Sequence, residues 1–139
     1  MIRAANNNAK SEGIQNKMKY INGFVENMQD FKDNEFDLVI SNDSLHHWED
    51  PVKAFREISR VMKKSGQVFI KDERRDLGIR GKIILHIFGR ILAGKSWKYW
   101  KSSVNASYTP EEIQDFLKEG NIEGWSINTT FMDLLIETH

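Results

Sequence analysis

Residues Asn42–Pro51 read NDSLHHWEDP, which places two adjacent histidines, a tryptophan and three carboxylates within ten positions. Residue types of this kind serve a metal site, an acid/base centre or the wall of a pocket. Adjacent histidines are poorly spaced for one ion, because a two-histidine site uses helical i, i+4 spacing or two separate elements. No metal is expected here. Ser41 and Ser44 lack the glycine-flanked elbow that exposes a serine nucleophile. Gly78 and Gly81 do not lead from a strand into a helix as a phosphate loop requires. For His46 and His47 two readings stay open: packing or hydrogen bonding at a strand-to-helix junction, or lining a pocket where imidazole titrates near neutrality.

The elements around this stretch decide which groups can meet. Phe36–Ser41, FDLVIS, is a nearly continuous apolar run that predicts a parallel strand buried on both faces. Asp50-Pro51 is a helix start, with aspartate as cap and proline at the first helical position. Val52, Phe55, Ile58 and Met62 follow at helical spacing, and Lys63, Lys64 and Gly66 suit the helix end. Gln67–Lys71, QVFIK, predicts a second buried strand, so strand, helix and strand form a right-handed crossover of a parallel sheet. Ligands of open parallel sheets bind outside the carboxyl ends of the strands. Ser41–His47 and Asp72–Arg75 both fall there, on one rim.

The flanking sequence supplies the rest of an α/β domain. Ile2–Lys10 suits a short helix stopped near Gly13, Lys19–Val25 a short strand, and Met28–Glu35 a polar turn. In the segment 74–103, Ile79, Ile83, Ile84, Ile87, Phe88, Ile91 and Leu92 recur at helical spacing, interleaved with Arg80, Lys82 and Arg90. Trp97, Tyr99 and Trp100 then alternate with Lys95, Lys98 and Lys101. Thr109-Pro110-Glu111-Glu112 is a capping box opening a helix to about Glu119. WSINTTF and DLLIE are two further strand candidates.

With 139 residues, 40% hydrophobic and 29% charged, the chain has the make-up of one globular domain, 1–139. Twenty basic and twenty acidic residues balance, which argues against nucleic acid as partner. There is no cysteine, so disulfides and thiolate chemistry are excluded. No apolar run is long enough to cross a bilayer and MIRAANNNAK lacks a secretory core, so a cytoplasmic protein is expected.

Phe36-Asp37-Leu38-Val39, Leu45-His46-His47, Asp50-Pro51, Arg60–Gly66 (RVMKKSG) and Tyr108–Glu112 occur in an order that resembles the later part of a class I S-adenosylmethionine-dependent methyltransferase. The resemblance implies a Rossmann-like, mostly parallel sheet with flanking helices, and methyl transfer from S-adenosyl-L-methionine. It implies that Ser41, Asn42 and Asp43 line the donor's sulfonium end and that His46 or His47 serves as base for an acceptor that must lose a proton. Trp48, Trp97 and Trp100 would face the acceptor, with 74–103 as a lid. A lid with aliphatic, cationic and tryptophan side chains suits a small-molecule or lipid-like acceptor. Ordinary packing on the sheet and contact with a membrane surface are two other readings of the same segment.

The chain departs from that family at its beginning. Members normally open with a strand and a glycine-rich turn, then a second strand ending in an acid that binds ribose; MIRAANNNAK instead resembles the helix after that second strand. Where the family has an acid receiving the adenine amino group, this chain has Gly23-Phe24-Val25; two readings stay open, Phe24 packing on the purine with Glu26 as substitute acid, or Phe24 as a core residue. A sheet ordered 3-2-1-4-5-7-6 without its first two strands gives FDLVIS an open edge. Movement of the third strand beside it, association of two chains, or a longer gene product would each cover that edge. A non-catalytic remnant acting as an oligomerising or interaction module is the alternative to an enzyme.

Overall fold

The computed structural model describes residues 2–79, 81, 83, 87, 91 and 94–138, with only the backbone of residues 95 and 100. Ile84, Phe88, Leu92, Arg80, Lys82 and Arg90, and the side chains of Lys95 and Trp100, therefore lie outside the described residues. Residues 79, 81, 83, 87 and 91 are helical, and Ile79, Ile83, Ile87 and Ile91 are exposed.

Among the described residues one sheet forms, from β1 (Phe36–Asn42), β2 (Met62–Glu73), β3 (Trp125–Thr129) and β4 (Asp133–Thr138). The order across the sheet is β1-β2-β4-β3. β1 and β2 are parallel, and β4 is antiparallel to both β2 and β3, so three strands run one way and one runs back. The helices are α1 (Ile2–Ser11), α2 (Pro51–Val61), α3 (Trp97–Ala106) and α4 (Pro110–Gly120). The crossover β1–α2–β2 is the unit expected from sequence.

Both predicted helix starts form. The Asp50 carboxylate accepts from the Lys53 amide at 2.9 Å, with Pro51 in the first turn. Thr109 Oγ1 accepts from the Glu112 amide at 3.2 Å and the Glu112 carboxylate accepts from the Thr109 amide at 2.8 Å, closing the capping box. The predicted end of the first of these helices is wrong. α2 stops at Val61, and Met62–Gly66 belong to β2. Phe36 pairs with Met62 and Leu38 with Gln67, so the ladder skips Lys63–Gly66. Gly66 is needed there for contact, not as a helix terminator: a Cβ would fall 2.7 Å from Met62 Cγ and 3.0 Å from the Phe36 carbonyl.

Strand periodicity then sorts residues between two faces. Val68, Ile70 and Asp72 point to one side of β2, with Val39 and Ser41 beside them on β1 and Leu134 and Ile136 on β4. Against this face pack Phe55 and Ile58 of α2 and Ile113 and Leu117 of α4, all buried. On the other face Leu38, Ile40 and Phe69 are exposed. Phe36–Ser41 is therefore not buried on both faces as its apolar run suggested: among the described residues β1 is an edge strand with β2 as its one neighbour, and Ile40 is 64% exposed. Lys19–Val25 is not a strand either. It does not move in beside β1, and no other strand among the described residues pairs with that edge. The loop it belongs to is tied instead to α2, where Arg60 donates to the carbonyls of Met28 and Phe31 and to the carboxylates of Asp33 and Glu57.

Candidate active site at the carboxyl rim of β1 and β2

Asp72 occupies an inward-facing strand position after Val68 and Ile70, and it is 1% exposed. A carboxylate in that place must be paired or lose its charge. The turn Leu45–His47, which follows β1, supplies the partners. Asp72 Oδ2 accepts from the His46 amide at 2.9 Å, and Asp72 Oδ1 lies 2.8 Å from His46 Nδ1. The Glu73 amide donates to the same Oδ1 at 2.8 Å. Burial pushes the Asp72 carboxyl upward, but the hydrogen bonds from Glu73 and His46 outweigh it and hold the group below its ordinary value. Glu73 goes the other way: burial and the adjacent Asp72 carboxylate push it up to about 7.

The His46 side chain is 4% exposed, and its Nε2 is buried without a hydrogen-bond partner among the described residues. Glu73 Oε2, 3.7 Å from His46 Nδ1, is likewise buried and unpaired. His47 is exposed, with its ring centroid 4.0 Å from that of His46. Of the two histidines singled out in the sequence, the fold thus engages His46 with the strand-end acids and leaves His47 at the surface. Helix α3, which includes residues 97–103 of the segment read as a lid, packs against the turn that carries both. Proton transfer is chemistry this arrangement can support, since it joins an imidazole to two carboxyl groups of opposite shift. One ligand atom each from His46, Asp72 and Glu73 lies within 4.8 Å of the others, so these three residues could also hold a metal ion.

The remaining sequence-derived residues are placed as follows. Ser41 and Ser44 hydroxyls bond each other at 2.6 Å, and the Asn42 amide donates to Asp43 at 2.6 Å. Asp43 takes a left-handed backbone at φ 51°, its amide donating to the Lys71 carbonyl at 2.9 Å. Ser41, Asn42 and Asp43 sit at the rim, at the carboxyl end of β1. Glu26 accepts from the Glu49 amide at 2.8 Å and so binds its loop to the start of α2. Phe24 is 71% exposed and lines a groove of about 470 Å³ together with Ile21, Met28, Phe31 and Phe36. That groove borders the amino end of β1, opposite the rim, and it is not part of the acid/base cluster. Trp48 stacks edge-on against Phe55 at 5.5 Å and is packed on the core. Trp97 packs against Leu77 and Val104.

Sequence reasoning put Asp72 on the right rim without giving it or Glu73 a role. The signal that could have found it is the alternation of QVFIKDE, which sets Val68, Ile70 and Asp72 on one face and so marks Asp72 as an inward acid by spacing alone.

A sheet ordered in this way, with a polar cluster outside its strand ends, defines a Rossmann-like α/β protein. Residues 1–70 match the family described as "Methyltransferase domain", half of the chain, and the chain belongs to that family. It is 44% identical over 50 residues to "Uncharacterized protein YafE" of Escherichia coli, covering 36% of this chain and 24% of that protein. It is 32% identical over 72 residues to "Uncharacterized methyltransferase YcgJ" of Bacillus subtilis, covering 52% of this chain and 28% of that protein. Among solved structures, an S-adenosyl-L-methionine-dependent methyltransferase from Methanococcus maripaludis, so described provisionally, superposes with a TM-score of 0.68 at 25% identity. The match covers 95% of this chain and 58% of that one. The chain thus spans about a quarter of the length of these curated relatives.

Proposed function

We propose that this chain takes part in methyl transfer from S-adenosyl-L-methionine, contributing the acceptor side of the active site. The observation that carries the reading is the His46–Asp72–Glu73 cluster at the strand ends, in a chain of the methyltransferase-domain family. The described residues fit one side of the donor. Ser41, Asn42 and Asp43 offer hydroxyl, amide and carboxylate groups at the rim, while no glycine turn or strand-end acid stands beyond the open edge of β1 among the described residues. When bound, S-adenosyl-L-methionine supplies an electrophilic methyl group, and the chemistry is an in-line displacement that depends mainly on positioning. Ser41–Asp43 would hold the donor's sulfonium end, His46 would receive the acceptor's proton, and α3 would keep water from the site. The acceptor would be a small molecule or lipid-like compound.

The open edge of β1 favours a second reading, a module of the same fold that associates through that edge and holds no donor. Titration calorimetry with S-adenosylhomocysteine on this chain separates the two. Saturable binding that weakens when Asp43 is replaced by alanine supports a donor site. No heat at millimolar ligand leaves the second reading.

A further inference from the structure

We infer that Asp72 is a positioning residue which fixes His46 as the tautomer protonated on Nδ1, leaving Nε2 as the proton-accepting atom, and that the methyl acceptor is therefore a compound attacking through a hydroxyl group or through an amine that arrives as its ammonium ion. The inference rests on the methyl-transfer reading for its acceptor, but not for the tautomer.

The assignment follows from counting donors around one carboxylate. Asp72 Oδ2 is occupied by the His46 amide and Oδ1 by the Glu73 amide, both of which can only donate. A carboxylate already accepting two backbone hydrogens offers a further lone pair to His46 Nδ1 at 2.8 Å, so the hydrogen in that contact belongs to the imidazole. A neutral imidazole has one N–H, so Nε2 carries a lone pair. That lone pair is buried and unpaired. Leaving a buried acceptor unsatisfied costs about 1–3 kcal/mol, and such a group calls for a partner that can donate. Glu73 does not satisfy it, because its free oxygen lies toward Nδ1 at 3.7 Å.

The donor that fits is an O–H or N⁺–H of the acceptor, brought beside the turn under α3. The acceptor's proton passes to Nε2 and the electron pair of the broken O–H or N–H bond stays on the heteroatom; an ammonium gains its attacking lone pair only in this way, so its proton leaves first. As the heteroatom then bonds to the methyl carbon, the carbon–sulfur bond of the donor breaks and its electron pair stays on sulfur. With a hydroxyl acceptor the imidazolium so formed carries the positive charge that the donor's sulfur loses; with an ammonium it carries the acceptor's charge, and the methylated nitrogen carries the donor's. Asp72 stabilises the imidazolium through Nδ1–H. A thiolate nucleophile would bring Nε2 no proton to take.

The test is nitrogen-15 NMR of the histidine rings on the full chain without donor. The wild type should show His46 Nε2 as a pyridine-type nitrogen and Nδ1 as protonated. Asp72→Asn should mix or invert the tautomers, and Glu73→Gln, which keeps Asp72, should not. A wild type with Nε2 protonated overturns the inference, as does an Asp72→Asn ring identical to it. If Asp72→Asn fails to fold, the wild type and Glu73→Gln still decide. Phenol should move the Nε2 resonance and anisole, of similar shape without the donor, should not. Equal shifts with both, or with neither, overturn Nε2 as the acceptor-facing atom. Zinc chloride moving Nδ1 first would assign the cluster to a metal and also overturn it. Because the tautomer is read without donor, its outcome is independent of the calorimetry that tests methyl transfer.

Discussion

Replacing Glu73 by glutamine should change how the stability of this chain depends on pH, and the direction follows from burial. The Glu73 carboxyl is held at about 7 in the fold, chiefly by burial and then by Asp72, against an ordinary value of 4.5. Below 4.5 it is protonated in both the folded and the unfolded chain and costs nothing. Between 4.5 and about 7 the unfolded chain has released the proton while the folded chain retains it, so stability falls as pH rises. Above about 7 both states are ionised and the loss is complete. A tenfold change in proton affinity is worth about 1.4 kcal/mol, which puts the full loss on the order of 2–3 kcal/mol for a side chain that solvent still touches. Glutamine has no proton to release. Urea denaturation at pH 4, 6 and 8 should therefore show Glu73→Gln gaining on the wild type with each step, by about 2–3 kcal/mol over the range. A difference that is the same at all three values, or that grows toward pH 4, would refute the reasoning.

Three other outcomes are expected. Phe55→Ala removes a fully buried ring that lies 5.5 Å from Trp48 and 6.0 Å from Trp125; it should lose about 3–5 kcal/mol in urea denaturation, and a loss under 1 kcal/mol would mean the core closes over the gap. Asp50→Ala frees the Lys53 amide at the start of α2 and should cost about 1 kcal/mol, measured by the same assay. The bare face and edge of β1 should make the chain self-associate, and Ile40→Lys, at a position 64% exposed on that strand, should shift sedimentation velocity toward the monomer. A wild type that is monomeric at every concentration would show that the edge is protected in another way.

The two features that sequence could carry furthest were both local. Thr109–Glu112 and Asp50-Pro51 cap their helices as predicted, because a cap is completed within four residues of chain. The strand–helix–strand order and the shared rim were equally readable, since they depend on segment type and direction. Lys19–Val25 failed for the opposite reason: a strand needs a neighbour to pair with, and among the described residues this segment pairs with none. Met62 kept the helical spacing of Val52, Phe55 and Ile58, but its pairing with Phe36 drew Met62–Gly66 into the sheet.

NDSLHHWEDP by itself determined a helix cap at Asp50, a strand end near Asn42 and a pair of titratable rings close to both. It could not say which ring mattered. That was decided by Asp72, 26 residues further on, whose inward position on β2 requires donors and finds them in the His46 amide and ring. Side-chain alternation along one strand is written in the sequence. The meeting of two strand ends is made only when the sheet forms, and with it come the buried carboxylate, the orphaned Nε2 and the raised Glu73 that give this site its chemistry.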